Sequence, residues 1–475
     1  MSGTKVVIVG AGSAIFGLKT LATLVGSPHM RGGTLGLVDL NADGLGLVEA
    51  LARRLNREWD GGLTIQSSTD RKEVLPGADF VVVAIEVGPR EGTWERDWEI
   101  PLQFGVRQPY GENGGPGGLA HTLRQVPEML AIARDMERLC PDAWLVNFTN
   151  PVPRLCLAVS RYTAVKTVGL CHQINEAYMM AGVALGERYG VQPPRGVSSD
   201  AHPDVWPQAG ELARQMRRFV DVRAAGLNHF TWILDLRDRQ TGEDLYPAFR
   251  EAFMALPPDF EPLTRSVFQA TGLCPVPGDS HLAEYLPWCH DPQTRPWEKY
   301  NLFLYDWRRA EQDRERQWQA IEAMAHGDAP VDALREAESE GAIELLAGLR
   351  GGGTVYREAV NIPNEGHISN LPDGAIVEIP ALVSGWGIRG LNVGPLPEFV
   401  AELCRREIAV ASLAVDAAAL GDRQTALQAL LVDPCLDDID TAAAILDAYL
   451  EEYADYLPQF RGRQEPNPPG GPKSA

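Results

Sequence analysis

The side chains in this chain best suited to chemistry sit where β-branched runs give way to polar residues. Cys171-His172 follows the run Thr167 to Leu170, and Asn228-His229 closes a run ending at Leu227. A thiolate and an imidazole on two strand ends can hold one divalent metal and leave positions open for substrate oxygens. Spacing alone leaves the bland reading open, since a lone Cys is usually a buried thiol and a lone His a satisfied polar residue. The segment from Gly278 to Trp288 is dense in ionisable and aromatic groups. On a helix its His281 and Tyr285 lie one turn apart, and either could shuttle a proton; the alternative is an amphipathic helix with Tyr285 in the core. In Asn147-Phe148-Thr149-Asn150-Pro151 a strand ends in polar residues before a helix that Pro151 can begin. Ligands of open α/β sheets bind at such ends, although Asn150 could simply cap the helix.

A further constellation is Gly10, Gly12 and Asp39, with the glycines between a strand and a helix and the carboxylate after the next strand. Glycines there let backbone amides approach a pyrophosphate, and the carboxylate accepts from ribose hydroxyls, so the pattern suits a dinucleotide. Asp39 would repel a 2′-phosphate, which favours NAD over NADP. The third glycine of the usual fingerprint is missing: Ile15 and Phe16 occupy its place, with Gly17 one step late. The amide-rich stretch from Asn361 to Pro372 reads as a binding loop or a turn.

These groups need elements to hold them. Lys5 to Val9 is a strand, followed by a glycine turn, a helix to about Val25 and a strand Thr34 to Val38: a βαβ unit. Strand candidates at Phe80 to Ile85, Ala143 to Asn147 and Thr167 to Leu170, with helical patterns between, predict a parallel, doubly wound α/β sheet. Beyond Val191 the pattern loosens. It has a strand at Phe219 to Leu227, helical stretches at Arg308 to His326 and Pro330 to Leu349, a strand at Ile376 to Pro380, and helical patterns at Leu396 to Leu420, Thr425 to Leu431 and Ile439 to Tyr456. The expected organisation is a Rossmann-like domain over 1–195, a second α/β lobe for substrate, metal and oligomerisation over 196–463, and a disordered Pro/Gly-rich tail over 464–475.

The 475 residues suit two packed lobes, and 45% hydrophobic with 23% charged residues is ordinary globular usage. The balance of 43 Lys+Arg against 64 Asp+Glu gives a net charge of −21, which disfavours nucleic acid but leaves an anionic small substrate possible. The opening MSGTKVVIVGAG has neither a signal-peptide cleavage site nor a spanning length, so a cytoplasmic, membrane-free protein is expected. Seven dispersed cysteines without a CxxC pair are unlike a secreted disulfide framework.

Taken in order, eight strings resemble glycoside hydrolase family four, the NAD- and manganese-dependent enzymes that include α-glucosidases, α-galactosidases, α-galacturonidases and 6-phospho-glycosidases. The strings are GAGSAIFG from Gly10, DWEIPLQFGV from Asp97, GENGGPGG from Gly111, NFTNP from Asn147, GLCH from Gly169, GLNHFTW from Gly226, HLAEYLPW from His281 and NIPNEG from Asn361. The resemblance implies a fold like that of lactate and malate dehydrogenases. It implies NAD held by Gly10, Gly12, Ser13, Phe16, Asp39 and Asn147, and Mn²⁺ or a similar ion held by Cys171 and His229. It makes Asn150, His281 and Asn361 substrate residues, Tyr285 the base and His172 a catalytic residue where some phospho-glycoside members carry an aspartate. The implied reaction oxidises the sugar C3 hydroxyl, removes the C2 proton, eliminates the glycosidic oxygen, adds water and returns the hydride, unlike the two-carboxylate scheme of most glycosidases. Family likeness also implies a homodimer or homotetramer acting on a small-molecule glycoside. The competing expectations are an NAD-dependent 2-hydroxy acid dehydrogenase of the lactate/malate type and a non-catalytic NAD-binding protein.

Overall fold

Six short runs rich in Val, Leu and Ile form the parallel part of the sheet: β1 (Lys5–Val9), β2 (Thr34–Val38), β3 (Thr64–Ser68), β4 (Phe80–Val83), β5 (Trp144–Asn147) and β6 (Lys166–Gly169). In the computed structural model, which describes residues 3–12, 16–198, 206–302, 304–337, 339 and 341–461, they lie in the order β3-β2-β1-β4-β5-β6. That is the doubly wound order. The tail 464–475 lies outside the described residues.

Alternate residues of β1 serve opposite faces. Val6 and Ile8 join Leu21, Leu24, Leu45 and Leu51 of helices Phe16–Gly26 and Ala42–Glu58. Val7 and Val9 join Leu119, Leu123 and Leu155 of helices Gly115–Leu139 and Val152–Tyr162. Both faces are covered, and so β1, β2 and β4 read as near-continuous apolar runs, whereas the edge strand β3, TIQSS, does not.

The second half extends the same sheet. β7 (Val220–Leu227) and β8 (Phe230–Asp238) form a hairpin turning at Asn228-His229, and β9 (Cys274–Pro275) pairs with β8. β10 (Val355–Pro363), β11 (Ile376–Ser384) and β12 (Gly387–Gly390) form an antiparallel set. β10 pairs with β6 at Asn361 and Gly169, and β11 pairs with β7 at Glu378 and Gly226, so one twelve-stranded sheet runs through both lobes.

Two features differ from the sequence expectation. The stretch 330–349 is not one helix but a 3-10 turn, Asp332–Glu336, and a helix, Ala342–Leu349; Gly341, at φ +75, is in a left-handed conformation that an α-helix cannot pass through. The last helices, Glu398–Leu420 and Ile439–Glu452, fold back onto the first lobe, where Ala414, Ala418, Ile445 and Tyr449 share a core with Val7, Val81 and Leu130. Among the described residues no helix is long and apolar enough to cross a membrane.

Candidate active site

Cys171 lies two residues beyond β6 and His229 lies in the β7-β8 turn, 58 residues on, yet their Sγ and Nε2 atoms are 3.2 Å apart. The meeting depends on the seam where β10 and β11 stand between β6 and β7. A Cβ on Gly169 would sit 2.5 Å from Val152 Cγ1 and 3.0 Å from Asn361 Cβ, so glycine is what lets β10 close on β6 there. His229 is buried, and burial, together with the nearby His281 and His172, holds its pKa well below the ordinary value. A neutral imidazole is the form that ligates metal. Its Nδ1 and the Oδ1 of Asn228 are buried without a hydrogen-bond partner. A thiol sulfur and a neutral imidazole nitrogen facing each other beside orphaned polar atoms fit a divalent ion as two protein ligands. Among the described residues no set of three or more His, Cys, Asp and Glu side chains forms a complete metal cage.

His281 stacks on His229, with ring centroids 4.7 Å apart and planes at 13°. It begins the motif His281-Leu-Ala-Glu284-Tyr285, which straddles the end of the short helix Asp279–Ala283. Its Nδ1 is 3.0 Å from Glu284 Oε2 and its Nε2 is 3.9 Å from Glu112 Oε2. Burial opposes its charge, but the Glu284 hydrogen bond and the charges of Glu284, Glu112 and Glu176 prevail and raise its pKa to about 9. Glu284 is itself fixed: its Oε1 accepts backbone N–H groups of Glu112, Asn113 and Gly114 at 2.7, 3.0 and 3.3 Å. Glu112 Oε1 in turn accepts from Asn150 Nδ2 and from Arg90 Nη2, each at 3.2 Å. Asn150 is therefore not a helix cap; Pro151 holds that position, and the asparagine reaches the His281 cluster.

Tyr285 follows the helix rather than lying one turn along it. It is 4% exposed and packs on Phe230, the residue that follows His229. Burial first, then Glu284 and Glu407, push its phenol well above the usual value. It lines a pocket with Asn113, Asn228, Arg154 and Glu407. His172 is exposed.

At the same carboxyl edge of the parallel strands, after β1, Gly10 takes φ +88, and a Cβ there would lie 2.0 Å from Ala84 O. A Cβ on Gly12 would lie 2.7 Å from Asp39 Oδ2, the atom that accepts the Gly12 N–H at 2.7 Å. Both positions are closed to side chains and leave bare backbone ahead of a helix, as a dinucleotide requires. Ser13 lies outside the described residues; Phe16 opens the helix, and its side chain is likewise outside them.

Two expectations change. Asn147 is fully buried and bonds the backbone of Thr149 with both polar ends, at 3.0 and 2.9 Å, so it shapes the turn after β5 rather than offering a free side chain to a cofactor. Asn361 is no loop residue: it lies inside the sheet, 1% exposed, and donates to Glu378 Oε2 at 2.8 Å. The other amides of that stretch hold a turn, with Asn364 Nδ2 donating to Ile368 O at 3.1 Å and Asn370 Nδ2 to Leu396 O at 2.8 Å.

A family model described as family 4 glycosyl hydrolase matches residues 5–184, and that of the family 4 glycosyl hydrolase C-terminal domain matches residues 224–436. The chain belongs to glycosyl hydrolase family 4. It is a glycosidase, and it is similar over its length to other members. An alpha-glucosidase of Erwinia rhapontici is 30% identical over 494 residues, covering 96% of this chain and 99% of its own. An alpha-galactosidase of Rhizobium meliloti is 29% identical over 477 residues, covering 97% of this chain and 90% of its own. A solved 6-phospho-alpha-glucosidase from gut microorganisms, in complex with NAD and Mn²⁺, shares the fold at TM-score 0.77 and 22% identity, covering 96% of this chain and all of its own (100%).

In this family 4 chain the residues that sequence reasoning left without a role are Glu112, Glu284, Arg90 and Glu378. Glu112 and Glu284 stand in the motif strings, but the partners of Glu284 are backbone amides up to 172 residues away and those of Glu112 are the side chains of Arg90 and Asn150, 22 and 38 residues away, which no local pattern reveals.

Proposed function

We propose that this glycosidase cleaves a hexopyranoside by removing the proton at C2, with NAD held at Gly10, Gly12 and Asp39 and a Mn²⁺-like ion held by Cys171 and His229. When bound, these groups supply a reversible hydride acceptor for the C3 hydrogen and a positive charge for the oxygens at C2 and C3. The observation that carries the reading is the approach of Cys171 Sγ to His229 Nε2 in a chain whose sheet also carries a dinucleotide turn.

Tyr285 is the proposed base. Its support is its place against the ligand hairpin, packed on Phe230 and lining a pocket with Asn228; its burial means that the phenol ionises only where positive charge stands close by. His172, exposed and close to His229, gives a proton to the departing glycosidic oxygen. Asn150 orients the sugar, and the Glu112–Glu284 frame holds His281 against it. Proton and hydride both return to the sugar after water has added at C1, so no net oxidation results.

Hydrolysis in D₂O is the test. Deuterium should appear at C2 of the released sugar, and Tyr285→Phe should lower turnover by about 10²- to 10⁴-fold, the usual cost of a positioned acid/base group. Full retention of protium at C2 would establish direct displacement at C1 instead. A fully active Tyr285→Phe would move the base to His281. The same reading places the protein in the cytoplasm, supported by seven cysteines without a disulfide. It also assigns a homodimer or homotetramer, supported by the exposed, stacked Trp288 and Phe399; light scattering of the purified protein checks the state.

A further inference from the structure

One row of residues crosses the seam of the sheet: Gly169 on β6 pairs with Asn361 on β10, Asn361 with Glu378 on β11, and Glu378 with Gly226 on β7. The ends of the row are glycines with no room for a side chain; a Cβ on Gly226 would lie 2.6 Å from Phe230 O. The middle is a buried amide and a buried carboxylate, 1% and 2% exposed, flanked by the buried Val360, Ile362, Val377 and Ile379. An apolar pair would hold these strands together without the cost of burying a carboxylate. The carboxylate has a specific use. Its Oε2 accepts from Asn361 Nδ2 at 2.8 Å and from Asn228 Nδ2 at 2.9 Å. Asn228 immediately precedes His229, and Gly169 is two residues before Cys171.

We infer that Glu378 is a positioning residue that anchors the Asn228-His229 turn to the seam and so holds the His229 imidazole against Cys171 for a divalent ion. The inference rests on the reading of Cys171 and His229 as metal ligands. Groups one layer behind a metal ligand set its orientation, and their loss typically lowers metal affinity by about 10- to 100-fold. Glu378 does this through the neighbouring asparagine rather than through the ring, whose Nδ1 it leaves unpartnered.

The experiment measures Mn²⁺ binding to the metal-free full chain, without NAD or substrate, from the loss of the free-ion EPR signal. The variants are His229→Ala, Glu378→Ala, Glu378→Gln, Asn228→Ala and the Glu378→Ala/Asn228→Ala double variant, each with a urea midpoint. Glu378→Ala and Asn228→Ala should each weaken Mn²⁺ by about 10- to 100-fold. The double variant should be no weaker than Glu378→Ala alone, because that change already removes the bond that Asn228→Ala breaks. Glu378→Gln keeps an oxygen for the two amides and should bind within about threefold of the unaltered protein. Affinity unchanged in Asn228→Ala, or a double variant whose loss is the product of the two single losses, overturns the inference. If Glu378→Ala does not fold, Asn228→Ala and the Gln rescue still decide it. Mn²⁺ binding that is absent from the unaltered protein, or that survives in His229→Ala, instead overturns the metal reading beneath it.

Discussion

Gly10 and Gly12 lead into one helix and Gly111 to Gly118 into another, and the backbone amides of the two turns meet different partners. In the first turn the Gly10 and Ala11 N–H groups go to Val38 O, and a single carboxylate, Asp39, takes Gly12 N–H from the solvent side. In the second turn three successive amides converge on Glu284, and the Gly115 N–H goes to Asp433 Oδ2 at 3.0 Å. Both carboxylates of the second turn are buried. Amides at the start of a helix attract anions. The first turn meets its one carboxylate at the exposed side of a single amide, whereas the second turns three amides inward to fix the carboxylate that holds His281. The difference teaches that a glycine-rich string does not name its ligand; the group facing its amides does.

Glu284→Ala should break the second turn most severely. It strands three amides and His281 in the interior, and with each unsatisfied group costing about 1–3 kcal/mol, a loss of about 4 kcal/mol is expected in urea unfolding. A loss under about 1 kcal/mol would mean that water or another group satisfies these amides equally well, and the contrast between the turns would fail. Gly10→Ala comes next. A Cβ 2.0 Å from Ala84 O cannot be absorbed by a side-chain rotation. About 3 kcal/mol of destabilisation should accompany loss of NAD binding. Retained NAD affinity in a calorimetric titration would remove the first turn from the cofactor site.

The buried carboxylates behind the second turn offer a pH test. Burial raises Glu407 to about 7 from the ordinary 4.5, with Arg154 opposing and Asp433 adding to the shift. The folded protein therefore keeps a proton that the unfolded chain has lost between these values. The stability due to protonated Glu407 is full below about 4.5 and lost as pH rises through about 7. Glu407→Gln lacks this titration, so the stability of the unaltered protein relative to the variant should fall across that window. A difference that stays flat with pH would show that Arg154, 2.9 Å away, keeps Glu407 ionised throughout.

The turns also differ in how far sequence alone reveals them. β1 and β2 were readable to the residue, because a strand buried on both faces is a plain apolar run bounded by Gly or Asp. β10 was not: VYREAVNIP mixes charge with apolar residues and ends in turn-forming amides, and its strand character comes from partners on β6 and β11 far along the chain. The Cys171–His229 pair was an open alternative from spacing and a definite expectation only through family likeness. Glu112, Glu284 and Glu378 had no readable role, since nothing in the local sequence tells a carboxylate that will bond buried amides from one that will face water.

The smallest expected change belongs to Asp39, which closes the first turn from its exposed side. Its Oδ2 accepts from Gly12 N–H and its Oδ1 from Asn41 N–H at 2.9 Å. Asp39→Asn keeps one acceptor and loses the other, so stability should fall by about 1 kcal/mol, the usual worth of one hydrogen bond. Nucleotide choice should move further than stability does. In the unaltered protein the carboxylate both offers acceptors to ribose hydroxyls and repels a 2′-phosphate, so NAD should bind in clear preference to NADP. The asparagine removes the repulsion and weakens acceptance together, which lowers NAD affinity, raises that for NADP and narrows the ratio from both sides. Titrating both nucleotides into both proteins measures this. Equal affinities in the unaltered protein would leave Asp39 with only its turn-closing role, and the first glycine turn would then resemble the second, its amides bound by the chain's own carboxylate.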